Sequence, residues 1–138
     1  MSYKFLDHAT DAFIEVNAKD LKEAFAVAAN AVINLTIDQT KVEERQEKEF
    51  HAYGKDLRYL LFSWIEEITF VLITEGFAIR RIDFEISEKN GYLISAKAYG
   101  EGLDLEKHNF KVEIKAPTFY DMKIEQNKEV FMRFLLDL

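Results

Sequence analysis

The segment from Asp56 to Gly76 sets the strongest constraint on how this chain can fold. Leu57, Leu60, Leu61, Trp64, Ile65, Ile68, Val71 and Leu72 recur at three- and four-residue steps, the spacing of one helical face. Asp56 is placed to cap the start, and Gly76 to supply a left-handed stop. Phe62, Phe70 and Ile73 carry the apolar surface further round the cylinder, so this main core helix needs neighbours on more than one side. It is not a membrane span. The apolar run from Tyr59 to Ile73 is interrupted by Ser63 and by Glu66-Glu67, whereas a crossing needs about 20 nearly charge-free residues.

The neighbours are legible on either side. Asp20 followed by Glu23 has the spacing of a capping box, with Asp in place of the usual Ser or Thr. The helix that follows carries Leu21, Ala24, Phe25, Ala28, Val32 and Leu35 on one stripe, and Lys22, Glu23 and Asn30 on the opposite side. Before it, Tyr3 to Leu6 and Phe13 to Val16 read as short strands. Lys41 to Lys48 reads as a charged loop into a strand around Phe50 to Tyr53, ended by Gly54. After Gly76 the period changes to two. Ile82, Phe84 and Ile86 alternate with acids, Asn90-Gly91 signals a type I′ hairpin, and Ile94, Ala96 and Ala98 carry the return strand. A polar connection through Gly100-Glu101-Gly102 and on to Asn109 then leads into Phe110, Val112, Ile114 and Ala116, which alternate as a further strand.

Pro117 cannot donate a ladder bond and marks an edge, a bulge or the end of that strand. Met122 and Ile124, then Val130, Met132, Phe134 and Leu136, predict two final antiparallel strands, with a turn near Asp121 or Asn127. Asp137 falls on the face of Phe131, Arg133 and Leu135. The order predicts an α+β fold, a single domain over residues 1–138, with two main helices packed on a mainly antiparallel β-sheet.

Composition excludes several function classes. With 49% hydrophobic and 31% charged residues in 138, the chain has material for one core. The absence of cysteine removes disulfides, thiolate metal sites and cysteine nucleophiles, and fits a reducing cytoplasm. No apolar signal core precedes the acids at the N-terminus, so the expected location is cytoplasmic. A net charge of -7 disfavours tight nonspecific binding to phosphate backbones, so a nucleic-acid role would run through a partner.

The chemistry concentrates in Leu6-Asp7-His8-Ala9-Thr10-Asp11-Ala12, where acids and an imidazole interrupt two apolar runs. Like charges about 4 Å apart repel by roughly 4 kcal/mol at an effective dielectric near 20, which a cation would relieve. At the other end, Phe134-Leu135-Leu136-Asp137-Leu138 closes a strand-like run with an acid and the terminal carboxylate. We expect the two ends to meet. Asp11 and Asp137 then either hold a hard ion through oxygen ligands, with the terminal carboxylate of Leu138 as a third anion, or serve as a turn cap and a solvated terminal acid. Asp7 and His8 either join that shell, orient it from behind, or are structural. Lys115, opposite Val112 and Ile114, faces an acidic site, a nucleotide phosphate or solvent. Arg80-Arg81 and Lys107-His108 read as ordinary surface pairs, and no catalytic residue is assigned. Gly-rich phosphate loops, a Ser-His-Asp order and His-x-x-x-His spacing are all absent from the sequence.

Leu6-Asp7-His8-Ala9-Thr10-Asp11, Asp20-Leu21-Lys22-Glu23-Ala24-Phe25, Leu60-Leu61-Phe62-Ser63-Trp64, Tyr99-Gly100-Glu101, Glu113-Ile114-Lys115-Ala116 and Leu136-Asp137-Leu138 together resemble the archease family, end to end. Two departures stand out. Ala9 and Thr10 are exchanged relative to the family's Asp-His-Thr-Ala-Asp, and Pro117-Thr118-Phe119-Tyr120 replaces a segment ending in Thr-Tyr-His, so contacts made there by His or Tyr do not carry over. The resemblance implies an accessory protein, not itself an enzyme, for the RtcB-type RNA ligase of tRNA splicing. It would promote ligase guanylylation and multiple turnover, with tRNA and GTP as indirect partners through the ligase. It also implies a divalent ion, Ca²⁺ first and Mg²⁺ or Mn²⁺ next, on Asp11 and Asp137. A stand-alone metal-dependent hydrolase and a chaperone-like binding protein are the alternatives.

Overall fold

The computed structural model describes residues 2–6 and 11–138. The elements run β1 (Ser2–Leu6), β2 (Asp11–Ala18), α1 (Leu21–Thr36), β3 (Gln46–Gly54), α2 (Leu57–Thr69), β4 (Phe77–Glu88), β5 (Tyr92–Gly102), β6 (Ala116–Gln126) and β7 (Val130–Asp137). The expected α+β class is what the chain adopts, but the strands divide into two antiparallel sheets. One has the order β1-β2-β7-β6, and the other the order β3-β5-β4. The helices join them. α1 packs on β2 and β7 of the first sheet and on β4 of the second, while α2 packs on β3 and β6 and against α1. Among the described residues no helix is long and apolar enough to cross a membrane.

Both helix starts follow from their caps. The Asp20 carboxylate accepts the Glu23 N–H at 2.8 Å, and the Asp56 carboxylate accepts the Tyr59 N–H at 3.0 Å. α1 is more enclosed than its single expected stripe, because Val27, Ala29, Ala31 and Ile33 are buried alongside Ala24, Phe25, Ala28 and Val32. Its alanines let both sheets approach closely, and a small residue adds little to an apolar stripe read from sequence. On α2, Leu60, Leu61, Trp64, Ile65 and Ile68 are all covered, which leaves a chaperone-like reading without the exposed apolar helix it needs. Trp64 sits at the junction of the layers. Its ring lies 5.6 Å from Phe50 and 5.0 Å from Phe84, and its indole N–H donates to the Phe25 carbonyl at 2.9 Å.

Several expected boundaries move. β3 begins at Gln46, inside the segment read as loop, because β5 extends to Gly102 and pairs with it from Gly100 onward. α2 ends at Thr69 and passes into a π-helical turn, Phe70–Thr74, before Gly76 at φ +60° reverses the chain. The β4–β5 hairpin pairs Glu88 with Tyr92, so three residues span the turn instead of two, with both Asn90 and Gly91 at positive φ. The expected strand over Phe110 to Ala116 is irregular. Its backbone is spent on separate anchors, Lys111 N–H on the Thr36 carbonyl and Lys115 N–H on the Asp137 carbonyl, each at 2.8 Å, and the ladder starts only at Ala116. β6 is an edge strand, where Pro117 is tolerated. Between Thr118 and Lys123 the register shifts, and Asp121 takes a φ of +53°.

Candidate metal-binding site

β2 and β7 pair along their whole length, and the first rung is Asp11 opposite Asp137. Residues directly opposite in an antiparallel pair share a face, with Cβ atoms about 4.5–5.5 Å apart. Alternation decides which face. Ala12, Ile14, Val16 and Ala18 on β2 and Val130, Met132, Phe134 and Leu136 on β7 are buried toward the helices, so the two acids project from the other side. The segments predicted to converge are therefore neighbours in one ladder, 126 residues apart in sequence. Asp137 is held on both flanks, because it also pairs with Ala116 of β6 and its carbonyl takes the Lys115 N–H. Leu138 packs its side chain against the core.

Two rows along the same face, charge is balanced differently. Glu15 faces Arg133, whose guanidinium donates twice to one carboxylate oxygen at 3.1 and 3.0 Å, and Lys4 lies 3.4 Å from the other oxygen. Burial pushes the Glu15 carboxyl up, but the bonds from Arg133 and Lys4 outweigh it and leave the group below its ordinary value. At the end of the ladder the rung is acid against acid. Asp137 is exposed and makes no ion pair among the described residues.

Two carboxylates are a partial shell for a hard cation, which takes six or more oxygens and fills vacancies with water. Among the described residues no group of three or more His, Asp or Glu side chains is arranged to hold a metal. Asp7 and His8, the other expected contributors, lie outside the described residues. Lys115 is exposed and immediately precedes β6; its backbone is bound to Asp137, while its side chain lines a cavity against the end of α2.

Comparison with known proteins places the chain and its fold. The model of the Archease protein family (MTH1598/TM1083) matches residues 3–138. The chain belongs to the archease family. It is 38% identical over 125 residues to Protein archease of Pyrococcus abyssi, covering 90% of this chain and 88% of that one. Against Protein archease of Pyrobaculum islandicum the identity is 39% over 141 residues, covering 100% and 96%. The solution structure of Methanobacterium thermoautotrophicum Protein 1598 superposes with a TM-score of 0.80 at 29% identity, over 99% of each chain.

One polar cluster of this archease was missed in the sequence. Lys107-His108, read as a surface pair, places His108 at 0% exposure. Its Nδ1 accepts the Asp104 N–H at 3.0 Å, which leaves Nε2–H to donate to Glu101 Oε2 at 2.9 Å, so the ring is neutral. Glu101 also accepts the Glu43 N–H and contacts Lys107, and these bonds with that of His108 hold its carboxyl down at about 2. The cluster bolts the 103–115 connection to the segment just after α1, because the His108 carbonyl takes the Asp38 N–H at 2.8 Å. Its one sequence signal was an acid between two glycines at a strand end, seven residues before a histidine. Arg80 is half-buried and tied to the Gln39 carbonyl, whereas Arg81 is the surface residue expected, paired with Glu44 and Asp83 and lying over the Tyr99 ring at 4.0 Å.

Proposed function

We propose that this archease is a metal-binding accessory protein of an RtcB-type RNA ligase in tRNA splicing, promoting ligase guanylylation and repeated turnover. The observation that carries the reading is the rung of Asp11 against Asp137 in a chain of this family. An ion held there by the two carboxylates would supply a positive charge beside the partner's nucleotide. Family likeness puts Ca²⁺ first, in a flexible shell of about six to eight oxygens; Mg²⁺, which keeps several waters and binds through one or two carboxylates, and Mn²⁺ are the other hard candidates. Asp7 and His8 are the nearest further donors by sequence. The chain's own residues do the positioning. Pairing on both sides of β7 fixes the Asp137 backbone, and the Lys115 amide anchors its carbonyl. An activator must bind one ligase state better than the others, since equal affinity for all states shifts nothing.

The test mixes this protein with its cognate ligase under limiting ligase, with GTP and Mn²⁺ or Mg²⁺. Guanylylation and the number of ligations per ligase should both rise, and Asp11→Asn or Asp137→Asn should remove most of the gain. No stimulation by the unaltered protein would overturn the proposal. Phosphoester hydrolysis by the purified chain alone, lost in Asp11→Ala, would replace it with a metal-dependent hydrolase.

A further inference from the structure

Beyond Thr69, α2 widens into the π-helical turn Phe70–Thr74, with the Glu75 N–H reaching back five residues to the Phe70 carbonyl at 3.0 Å. Turns of this kind recur at functional sites. Here it leaves Phe70 49% exposed. Facing the turn, residues 113–117 form the second wall of a cavity of about 360 Å³. Thr69 lines it, is only 8% exposed, and its buried Oγ1 has no hydrogen-bond partner. An unpaired buried hydroxyl is costly. Threonine in a helix has two accessible χ1 wells, so this hydroxyl can turn toward a ligand in the cavity.

The walls are acidic. Glu66 and Glu113 line the cavity and make no ion pair among the described residues, and Lys115 supplies one positive charge against them. Glu67 and Glu75 lie alongside at the C-terminal end of the helix, where the backbone dipole is already negative. The Glu67 carboxyl is raised by burial and further by Glu66 and Glu75. Apart from Thr74 the remaining lining is apolar, with Phe70, Ile73, Ile114, Ala116 and Pro117.

We propose that this cavity receives an arginine side chain of a protein partner. A guanidinium is flat, weakly hydrated and rich in fixed donors. It can lie against the exposed Phe70 ring while Glu66 or Glu113 accepts its N–H groups, and its aliphatic stem can pass along the apolar wall. A bare metal ion would gain nothing from a half-apolar lining, and an ammonium would lose more hydration for fewer directed bonds. Lys115 belongs to both the cavity and the backbone anchor of Asp137, so a partner docked here sits beside the acidic rung. The inference does not depend on a metal being bound there.

The experiment titrates the full chain, labelled with ¹⁵N, with N-acetyl-arginine amide. The neutral isostere N-acetyl-citrulline amide and inorganic phosphate serve as separate probes. Saturable shifts centred on the amides of Thr69, Phe70 and Glu113 are expected with the arginine probe and far smaller ones with citrulline. Phe70→Ala should weaken binding about two- to fivefold, the range of an exposed cation–π contact. Glu66→Gln should weaken it by a similar factor, about two- to fivefold for a well-directed surface ion pair. Equal response to citrulline, shifts centred instead on the acidic strand residues Glu47, Glu49 and Asp83, or a response at these amides to phosphate alone would overturn the proposal. A Ca²⁺ titration of Phe70→Ala separates the two readings, because that variant should keep any ion response at Asp11 and Asp137 unchanged while binding the arginine probe about two- to fivefold more weakly.

Discussion

Replacing Trp64 by Phe tests how the layers are joined. The indole is fully buried, stacks on Phe50, lies tilted against Phe84, meets Phe25 edge-on at 6.4 Å and donates its N–H to the Phe25 carbonyl. The lost hydrogen bond is worth about 1 kcal/mol, and the carbonyl is not stranded, because it lies within α1 and also serves the helix ladder. The missing part of the bicycle leaves roughly 40 Å³, or about 1 kcal/mol at the usual cost per unit of cavity, with a similar transfer loss. The sum is about 2–4 kcal/mol. With an unfolding entropy of about 2.1 cal/mol/K per residue over 138 residues, Tm should fall by about 7–14 °C. Trp64 is the only tryptophan, so unfolding should be followed by far-UV circular dichroism in urea as well as by heat. A midpoint shift equivalent to less than about 1 kcal/mol would refute the junction as a major source of stability. A full-sized loss with a changed denaturant slope would also count against it, since the perturbation would then have altered the unfolded ensemble.

Other outcomes are equally specific. Ca²⁺ at about one hundred times its Kd should stabilise the chain by about 2.7 kcal/mol, and the rise in Tm should vanish in Asp11→Asn and in Asp137→Asn. Gly54→Ala should destabilise by about 1–3 kcal/mol, measured by urea unfolding, because the added Cβ would lie 2.1 Å from the Leu60 backbone nitrogen and neither chain segment can yield. Glu101 titrates in the folded chain at about 2, below its ordinary value of 4.5, so its contribution is complete above about pH 4.5 and fades as pH falls toward 2. Unfolding midpoints measured across that window should therefore converge for the parent and Glu101→Gln as acid is added.

Much of the fold was readable because local rules and tertiary demand agree. Asp20 and Asp56 both cap where the spacing placed them, Gly76 takes the left-handed turn, and the final strands expose Asp137 on the predicted face. The misreadings come from residues whose role is set across space. Phe110 and Ile114 sit at strand-like spacing because both rest on the core, yet the backbone beside them anchors separately, Lys111 to α1 and Lys115 to β7. Gln46 to Lys48 look like loop by charge, since one face of β3 is solvated over its whole length. Nothing local marks His108 as buried, because the partner that neutralises its cost is Glu101, brought in by the end of β5. The acidic rung was inferable from family likeness and from the apolar runs flanking it, but the one-to-one register of Asp11 with Asp137 is a property of the folded sheet.

The interleaving of strands also sets an order of events. The β3-β5-β4 sheet uses one continuous stretch, 46–102, and can assemble with α2 as soon as that stretch exists. The other sheet must leave β2 waiting until β7 has been made, and such distant pairing is slow. A ribosome-bound intermediate can thus look half native while holding only one of the two facing acids, so the acidic rung is a timestamp that only a completed and closed sheet carries.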